Sequence, residues 1–285
     1  MSDNLQAAFG QDFALTEHSV LALRGRDAVA FGQAQFMNDI ALLGDGQWQW
    51  NGWLTPKGRV IALFALLKPD AETLWLLLPD ADPAALATQL QRYVFRSKVE
   101  LQPRDDLHVT GAFTAPALAS NARFAGDADS VLELDLSAEG GYRRLHIGSA
   151  IAATDADARA RWRRFDLEHS LPRLRAAQAE QWTPQQLSLD RLRAFSVKKG
   201  CYPGQEIVAR THFLGQVKRR LALFEANGRV VEGAPIEAEG QTLGTVIASE
   251  GASVLAVLPL QYPAEGLHAA GIALRPSPLR DGLAR

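Results

Sequence analysis

The 285-residue chain contains a single cysteine, Cys201. One thiol excludes any disulfide within the chain, and any four-cysteine iron–sulfur or zinc site built by one copy of it. A basic excess is missing too: 30 Lys and Arg stand against 32 Asp and Glu, so no uniform positive field marks a dedicated nucleic-acid binder. Long apolar runs are absent. The longest, residues 60–67, is far short of the ~20 residues that a membrane-spanning helix needs. The opening Met1-Ser2-Asp3-Asn4-Leu5-Gln6 has neither the basic start nor the apolar middle of a secretory signal. A cytoplasmic protein with a reduced thiol and no membrane association is therefore expected. The six histidines are scattered without metal-ligand spacing, so no metal site is expected. Walker-type and dinucleotide-binding glycine motifs are also absent, as is any repeat of fixed period.

What is present suits a soluble globular protein: 47% hydrophobic and 22% charged residues, on a length for two ordinary domains or three small ones. Asp27 is placed to cap a helix running to Phe36. Residues 59–67 and 72–78 read as two strands joined by Lys68-Pro69-Asp70-Ala71, with Pro and Asp as turn residues. A helix over 83–94 follows, with Pro83 in its first turn and Leu86, Leu90, Tyr93 and Val94 on one side. Shorter strands are expected at 107–113, 131–136 and 143–147. Asp155 then starts a helix on which Ala158, Trp162 and Phe165 share a stripe. From Val217 the pattern turns to short β-like pieces at 217–225, 235–238, 241–248 and 253–258. Gly228, Gly233, Gly240 and Gly251 punctuate them, which suits a small barrel or sandwich.

Lys198-Lys199-Gly200-Cys201-Tyr202-Pro203-Gly204-Gln205-Glu206 is the densest unusual segment. Two glycines and a proline within five residues favour a tight turn over a helix or strand. Two flanking ammonium groups would favour the Cys201 thiolate over the thiol. The commoner fate of an unpaired cysteine is burial as a small hydrophobe. His212 lies near Cys201 in sequence, but a dyad needs proximity in space. Charge is uneven along the chain. Residues 198–220 carry six basic side chains against Glu206 alone, and residues 159–175 carry six arginines against Asp166 and Glu168. Two readings stand: a face for a polyanion such as RNA or a polyglutamate tail, or ordinary solvated surfaces.

Lys199-Gly200-Cys201-Tyr202-Pro203-Gly204-Gln205-Glu206, followed by Ala209-Arg210-Thr211, resembles the signature of the YgfZ family. Members are folate-binding proteins similar to the glycine-cleavage aminomethyltransferase (T-protein), with a role in maintaining iron–sulfur enzymes and tRNA thio-modification. Gly25-Arg26-Asp27-Ala28-Val29-Ala30-Phe31 through Asn38-Asp39-Ile40 resembles the family's opening helix. Pro56-Lys57-Gly58-Arg59-Val60 resembles its first strand entry, and Tyr93-Val94-Phe95-Arg96-Ser97-Lys98-Val99 its helix exit.

The resemblance implies an α+β fold of the aminomethyltransferase type: two interleaved α+β subdomains with a ligand pocket between them, then a small C-terminal β-barrel. Residues 1–215 would form the folate-binding region, with an inserted subdomain at about 46–108, and 216–285 the barrel-like domain. It also implies tetrahydrofolate or a derivative as a non-covalent cofactor, with no self-contained iron–sulfur cluster. Leu167-Glu168 ahead of Leu171-Pro172 fits the pair whose glutamate grips the pterin, although Ser170 replaces a small glycine found nearby in relatives. A carboxylate can accept two N–H bonds from an aminopyrimidine edge. Tyr202, Gln205 and Arg210 are assigned as further folate contacts, and Cys201 and Lys199 as the chemically active pair. T-protein has a carboxylate at the strand start where this chain reads Val60-Ile61-Ala62-Leu63-Phe64. Neither Ile61 nor Ala62 can act as a general acid or base, so authentic aminomethyl transfer is not expected.

The leading expectation is thus a tetrahydrofolate-binding accessory factor in iron–sulfur protein assembly or repair, supporting tRNA modification. Its partners would be a folate and iron–sulfur assembly proteins or client enzymes. A folate-dependent one-carbon transferase using Cys201 is the alternative. Direct tRNA binding through the basic stretches is the weakest reading, because no aromatic-interleaved RNA-recognition signature stands out.

Overall fold

The computed structural model describes residues 11–215 and 217–285. The opening residues 1–6 and Gln216, with which the expected C-terminal domain begins, lie outside the described residues. The fold is α+β, with two five-stranded antiparallel sheets, four α-helices and a closed six-stranded barrel among those residues.

The first sheet joins β2 (Ser19–Arg24), β3 (Gln47–Leu54), β4 (Val60–Asp70), β5 (Thr73–Leu78) and β6 (Glu100–Pro103) in the order β3-β4-β5-β2-β6. The second joins β1 (Phe13–Ala14), β7 (His108–Ala112), β8 (Ala125–Gly126), β9 (Val131–Asp135) and β10 (Arg144–Gly148) in the order β1-β7-β10-β9-β8. Because β1 precedes β2 in the chain while β7 follows β6, the sheets are interleaved rather than sequential. The apolar run of β4 is explained by burial on both faces. Leu63, Ala65 and Leu67 face the core shared with the second sheet, whereas Ala62, Phe64 and Leu66 face two helices. These are α1 (Ala28–Gln35) and α2 (Pro83–Gln91), whose Phe31, Leu86 and Leu90 complete that second core.

Helix starts follow local chemistry. Asp82 accepts a hydrogen bond from the Ala85 N–H at 2.7 Å ahead of α2, and Asp155 one from Ala158 at 2.9 Å ahead of α3 (Ala156–Glu168). Asp27 does precede α1, but its carboxylate accepts the Lys98 N–H at 2.6 Å instead of capping the helix. Helix α2 stops at Gln91 rather than running to Val94, because Phe95 takes a left-handed φ of 41° and closes the turn. Val94 is buried there, while Tyr93 is turned outward. Strand β3 was not expected: Gln47, Gln49 and Asn51 alternate with Trp48 and Trp50, yet all but its first residue are buried.

The barrel runs β11 (Arg219–Ala226), β14 (Ser253–Pro259), β13 (Gln241–Glu250), β12 (Pro235–Ala238), β15 (His268–Ala269) and β16 (Ile272–Ser277), and closes by pairing β11 with β16. Inward residues such as Phe224, Ile236 and Val254 fill it, and outward Leu223, Leu255 and Val257 join the core shared by the two sheets.

Helix α3 ties the three bodies together through buried charge. Asp166 receives Arg143, at the entry to β10, at 2.7 Å and Arg173 at 3.6 Å, and Arg173 also holds Asp80, beyond β5, at 2.9 Å. The Arg143 guanidinium lies over the rings of Trp162 and Phe165, at 4.3 and 4.0 Å from their centroids. Removing one member leaves its partners charged and buried, which costs about 3–5 kcal/mol. Asp166→Ala is accordingly expected to shift urea unfolding by that order; a midpoint equal to wild type would show that the network does not hold the sheets.

Candidate functional site

Residues 198–203 form an irregular loop, and α4 (Gln205–Phe213) begins inside the conspicuous segment, at its last two residues. Cys201 is exposed on this loop, not buried as a small hydrophobe. Lys199, two residues before it, is 5% exposed. Its ammonium donates to the carbonyl oxygens of Phe36 and, at 3.0 Å, Asn38. Burial pushes this amine down to about 8, against the opposing pull of Asp39. The expected pair of ammonium groups beside the thiol is thereby divided: Lys198 is exposed, and Lys199 is committed to backbone carbonyls.

Tyr202 points inward. Its hydroxyl donates to the Ser196 carbonyl at 3.1 Å, and burial pushes its pKa up to about 12, which keeps it a neutral donor. The Lys199 ammonium lies 5.0 Å from the Tyr202 ring centroid, and the Gln205 amide donates to the Lys199 carbonyl at 3.1 Å. Lys199, Tyr202 and Gln205 therefore converge, but they build the loop that presents Cys201 and do not line an open pocket. Arg210 is exposed and makes no side-chain hydrogen bond or ion pair among the described residues.

Two asparagines support the loop. Asn38 donates to the carbonyls of Trp50 at 2.9 Å and Arg193 at 2.7 Å, while the Asn51 side-chain oxygen accepts the Asn38 N–H at 2.9 Å. Asn38 stood in the family-like segment 25–40 without an assigned role. Asn51 had a signal of its own, a fully buried amide set between Trp50 and Trp53.

Glu168 belongs to a different surface. Its two carboxylate oxygens are held by Arg164 at 2.9 Å and Arg280 at 2.8 Å. It lines a cavity of about 460 Å³ with Phe113, Tyr142, Phe165 and Arg161. The gap between the sheets, where a ligand pocket was expected, is filled. A cavity of about 20 Å³ is left there, lined by His18, Trp50, Trp162 and Asp166, room for about one water and not for a pterin. Buried tryptophans and the Asp166 ion pairs take that space.

The arginine stretch at 159–175 is not a free polyanion face. Arg163 pairs with Glu17 and Glu250, both at 2.7 Å, Arg164 with Glu168, and Arg173 with Asp80. Nor do the two basic stretches share contacts around Cys201. Among the described residues no helix is long and apolar enough to cross a membrane.

No protein-family model matches the chain. A "tRNA-modifying protein YgfZ" of Cronobacter sakazakii is 29% identical over 237 residues, covering 75% of this chain and 71% of the relative. One from Klebsiella pneumoniae is 28% identical over 226 residues, covering 73% and 69%. The chain resembles the YgfZ proteins. In three dimensions it is similar to the glycine cleavage system aminomethyltransferase T from Bartonella henselae, at a TM-score of 0.71 and 13% identity, over 97% of this chain and 86% of that one. The interleaved α+β layout with a terminal barrel is thus the aminomethyltransferase fold.

Two of the YgfZ-like segments meet directly. Gly204 caps α4 at a φ of 79°, and a Cβ there would stand 2.6 Å from the Thr55 carbonyl and 2.7 Å from the Gly58 Cα. Gly58, at a φ of 70°, is equally tight against Ile207. The thiol loop thus docks on the turn into β4 only because both backbones lack side chains. Gly204→Ala is expected to cost about 1–3 kcal/mol for the left-handed conformation alone, with the backbone clash adding to it. Thermal unfolding measures the loss; an unchanged melting temperature would refute this docking.

Proposed function

We propose that the chain is a folate-binding accessory factor in tRNA modification, acting in the cytoplasm to support assembly or repair of the iron–sulfur enzymes that carry it out. The observation that carries the folate reading is the cavity around Glu168. A reduced pterin is flat, has an N–H-rich edge and continues into a carboxylate-bearing tail. The cavity offers the rings of Phe113, Tyr142 and Phe165, one carboxylate and three guanidiniums. Its volume lies within the ~300–1,000 Å³ typical of small-molecule pockets. Arg164 and Arg280 are 53% and 44% exposed, so both can swing from Glu168 toward the tail carboxylates as the pterin edge takes their place.

The tRNA reading draws on the name of the YgfZ relatives, and the folate reading also on the aminomethyltransferase fold. An accessory role is favoured over one-carbon transfer by two features. The start of β4 carries Ile61 and Ala62 in place of a carboxylate, and Cys201 shares no contact with the residues around Glu168. A thiol held out on a rigid loop suits transient contact with an iron–sulfur client or assembly protein, since one cysteine cannot hold a cluster alone. Residues 1–215 would then bind the folate, with 46–108 as the inserted part, and residues 216–285 would buttress the cavity through Arg280.

Calorimetry with tetrahydrofolate tests the ligand reading. Glu168→Ala is expected to weaken binding about ten-fold or more, on the order of the 1.5–3 kcal/mol of a charge-assisted hydrogen bond; equal affinity in both proteins would show that Glu168 does not grip the pterin. The thiol is tested separately. Cys201→Ala is expected to fold normally yet to lower cluster-dependent tRNA methylthiolation in a deletion strain. Full complementation by that variant would remove Cys201 from the mechanism.

A further inference from the structure

The exit from α2 presents a combination that folding does not require. Phe95 holds a left-handed φ of 41°, and its side chain is 97% exposed. A bulky residue in that conformation costs about 1–2 kcal/mol, and an exposed ring recovers none of it by packing. The turn itself is well held: Val94 is buried beneath it, the Tyr93 N–H donates to the Leu90 carbonyl at 2.9 Å, and the Ser97 N–H to the Val94 carbonyl at 2.8 Å. Tyr93, beside it, is 44% exposed and turns one edge to Trp53.

Four cations lie near these two residues in the chain or across the Gly25 contact. Arg92, Arg96 and Lys98 are exposed on the same corner, and Arg26 joins them where Gly25 packs on the Lys98 carbonyl. None of the four side chains makes a hydrogen bond or ion pair among the described residues, in contrast to the paired arginines of α3. Asp27, the neighbouring carboxylate, is occupied by the Lys98 N–H.

From this corner we infer a binding surface for single-stranded RNA, in which Phe95 and Tyr93 stack on unpaired bases and Arg92, Arg96, Lys98 and Arg26 contact the phosphates. Unpaired cations call for a polyanion, and an isolated projecting ring flanked by guanidiniums suits a base between phosphates. An apolar stripe, which a lipid surface would require, is absent from this corner. The corner also communicates with the thiol loop. Tyr93 packs on Trp53, Trp53 bridges to Phe36, and the Phe36 carbonyl holds the Lys199 ammonium. The inference goes beyond the folate reading and does not depend on it.

Fluorescence anisotropy of the full chain with a labelled mixed-sequence single-stranded RNA, without folate, tests it. Phe95→Gly relieves the backbone strain, so the fold is retained by circular dichroism while the ring is lost. Its affinity is expected to fall about five-fold or more, the equivalent of one lost stacking contact. Arg92→Ala combined with Arg96→Ala is expected to reduce the salt slope of binding by about 1.4, as for two lost phosphate contacts on a single strand. Lys218→Ala, on the other basic stretch, is expected to bind as wild type does. Wild-type affinity in Phe95→Gly would overturn the proposal, as would affinity lost only in the Lys218 variant. Binding to phosphatidylserine vesicles with none to RNA would equally overturn it.

Discussion

The carboxylate of Asp166 is buried where three bodies meet, and much of the molecule is arranged around its charge. Its partners come from different parts of the chain: Arg143 from the second sheet, and Arg173, which in turn holds Asp80 at the end of β5 in the first. Once those guanidiniums are drawn inward, Arg143 fills the space over Trp162 and Phe165, and the gap between the sheets closes. The interior that a related fold could give to a ligand is here used for cohesion.

Closing the centre moves the candidate chemistry outward, to two separate places. One is the Glu168 cavity, walled by α3, the segment before β10 and Arg280 beyond the barrel. The other is the thiol loop, fixed by Lys199 on the carbonyls of Phe36 and Asn38 and by the contact between Gly204 and Gly58. Lys199 does for this loop what a helix cap does for a helix end: it satisfies exposed carbonyls and fixes the chain's direction. Its consequence is mechanical, a thiol held at the surface by a buried anchor. A protein that binds a small ligand at one site and offers a thiol at another suits an adaptor better than a one-site transferase.

Charge tells a parallel story. A net charge of −2 conceals arginines of two kinds. Arg159, Arg163 and Arg164 of α3 pair with Glu17, Glu250 and Glu168 and serve the packing of the helix on its neighbours. Those at the exit of α2 have no partner among the described residues and lie beside an exposed aromatic ring in the sequence. The second kind leaves a field for an anion outside the protein.

Features governed by neighbours a few residues apart were legible in the sequence. The Pro83 helix start, the Asp155 cap, the apolar run of β4, the α3 stripe of Trp162 and Phe165 and the turn around Pro203 and Gly204 all follow from short-range rules. Strand β3 was not legible, because its glutamines and asparagine look solvated until Asn51 is seen bonded to Asn38. The family-like motif around Cys201 was visible, but the direction of Lys199 was not, since its carbonyl partners lie about 160 positions earlier. The sequence by itself determined α2, α3, β4 and β5, the lone thiol and the turn that carries it. Tertiary structure alone decided which charges are spent on one another, that Glu168 faces an outer cavity, and that Phe95 faces solvent. The physical reason is that an ion pair or a buried ammonium is defined by partners distant in the chain, whereas a cap or a stripe is defined by the next turn.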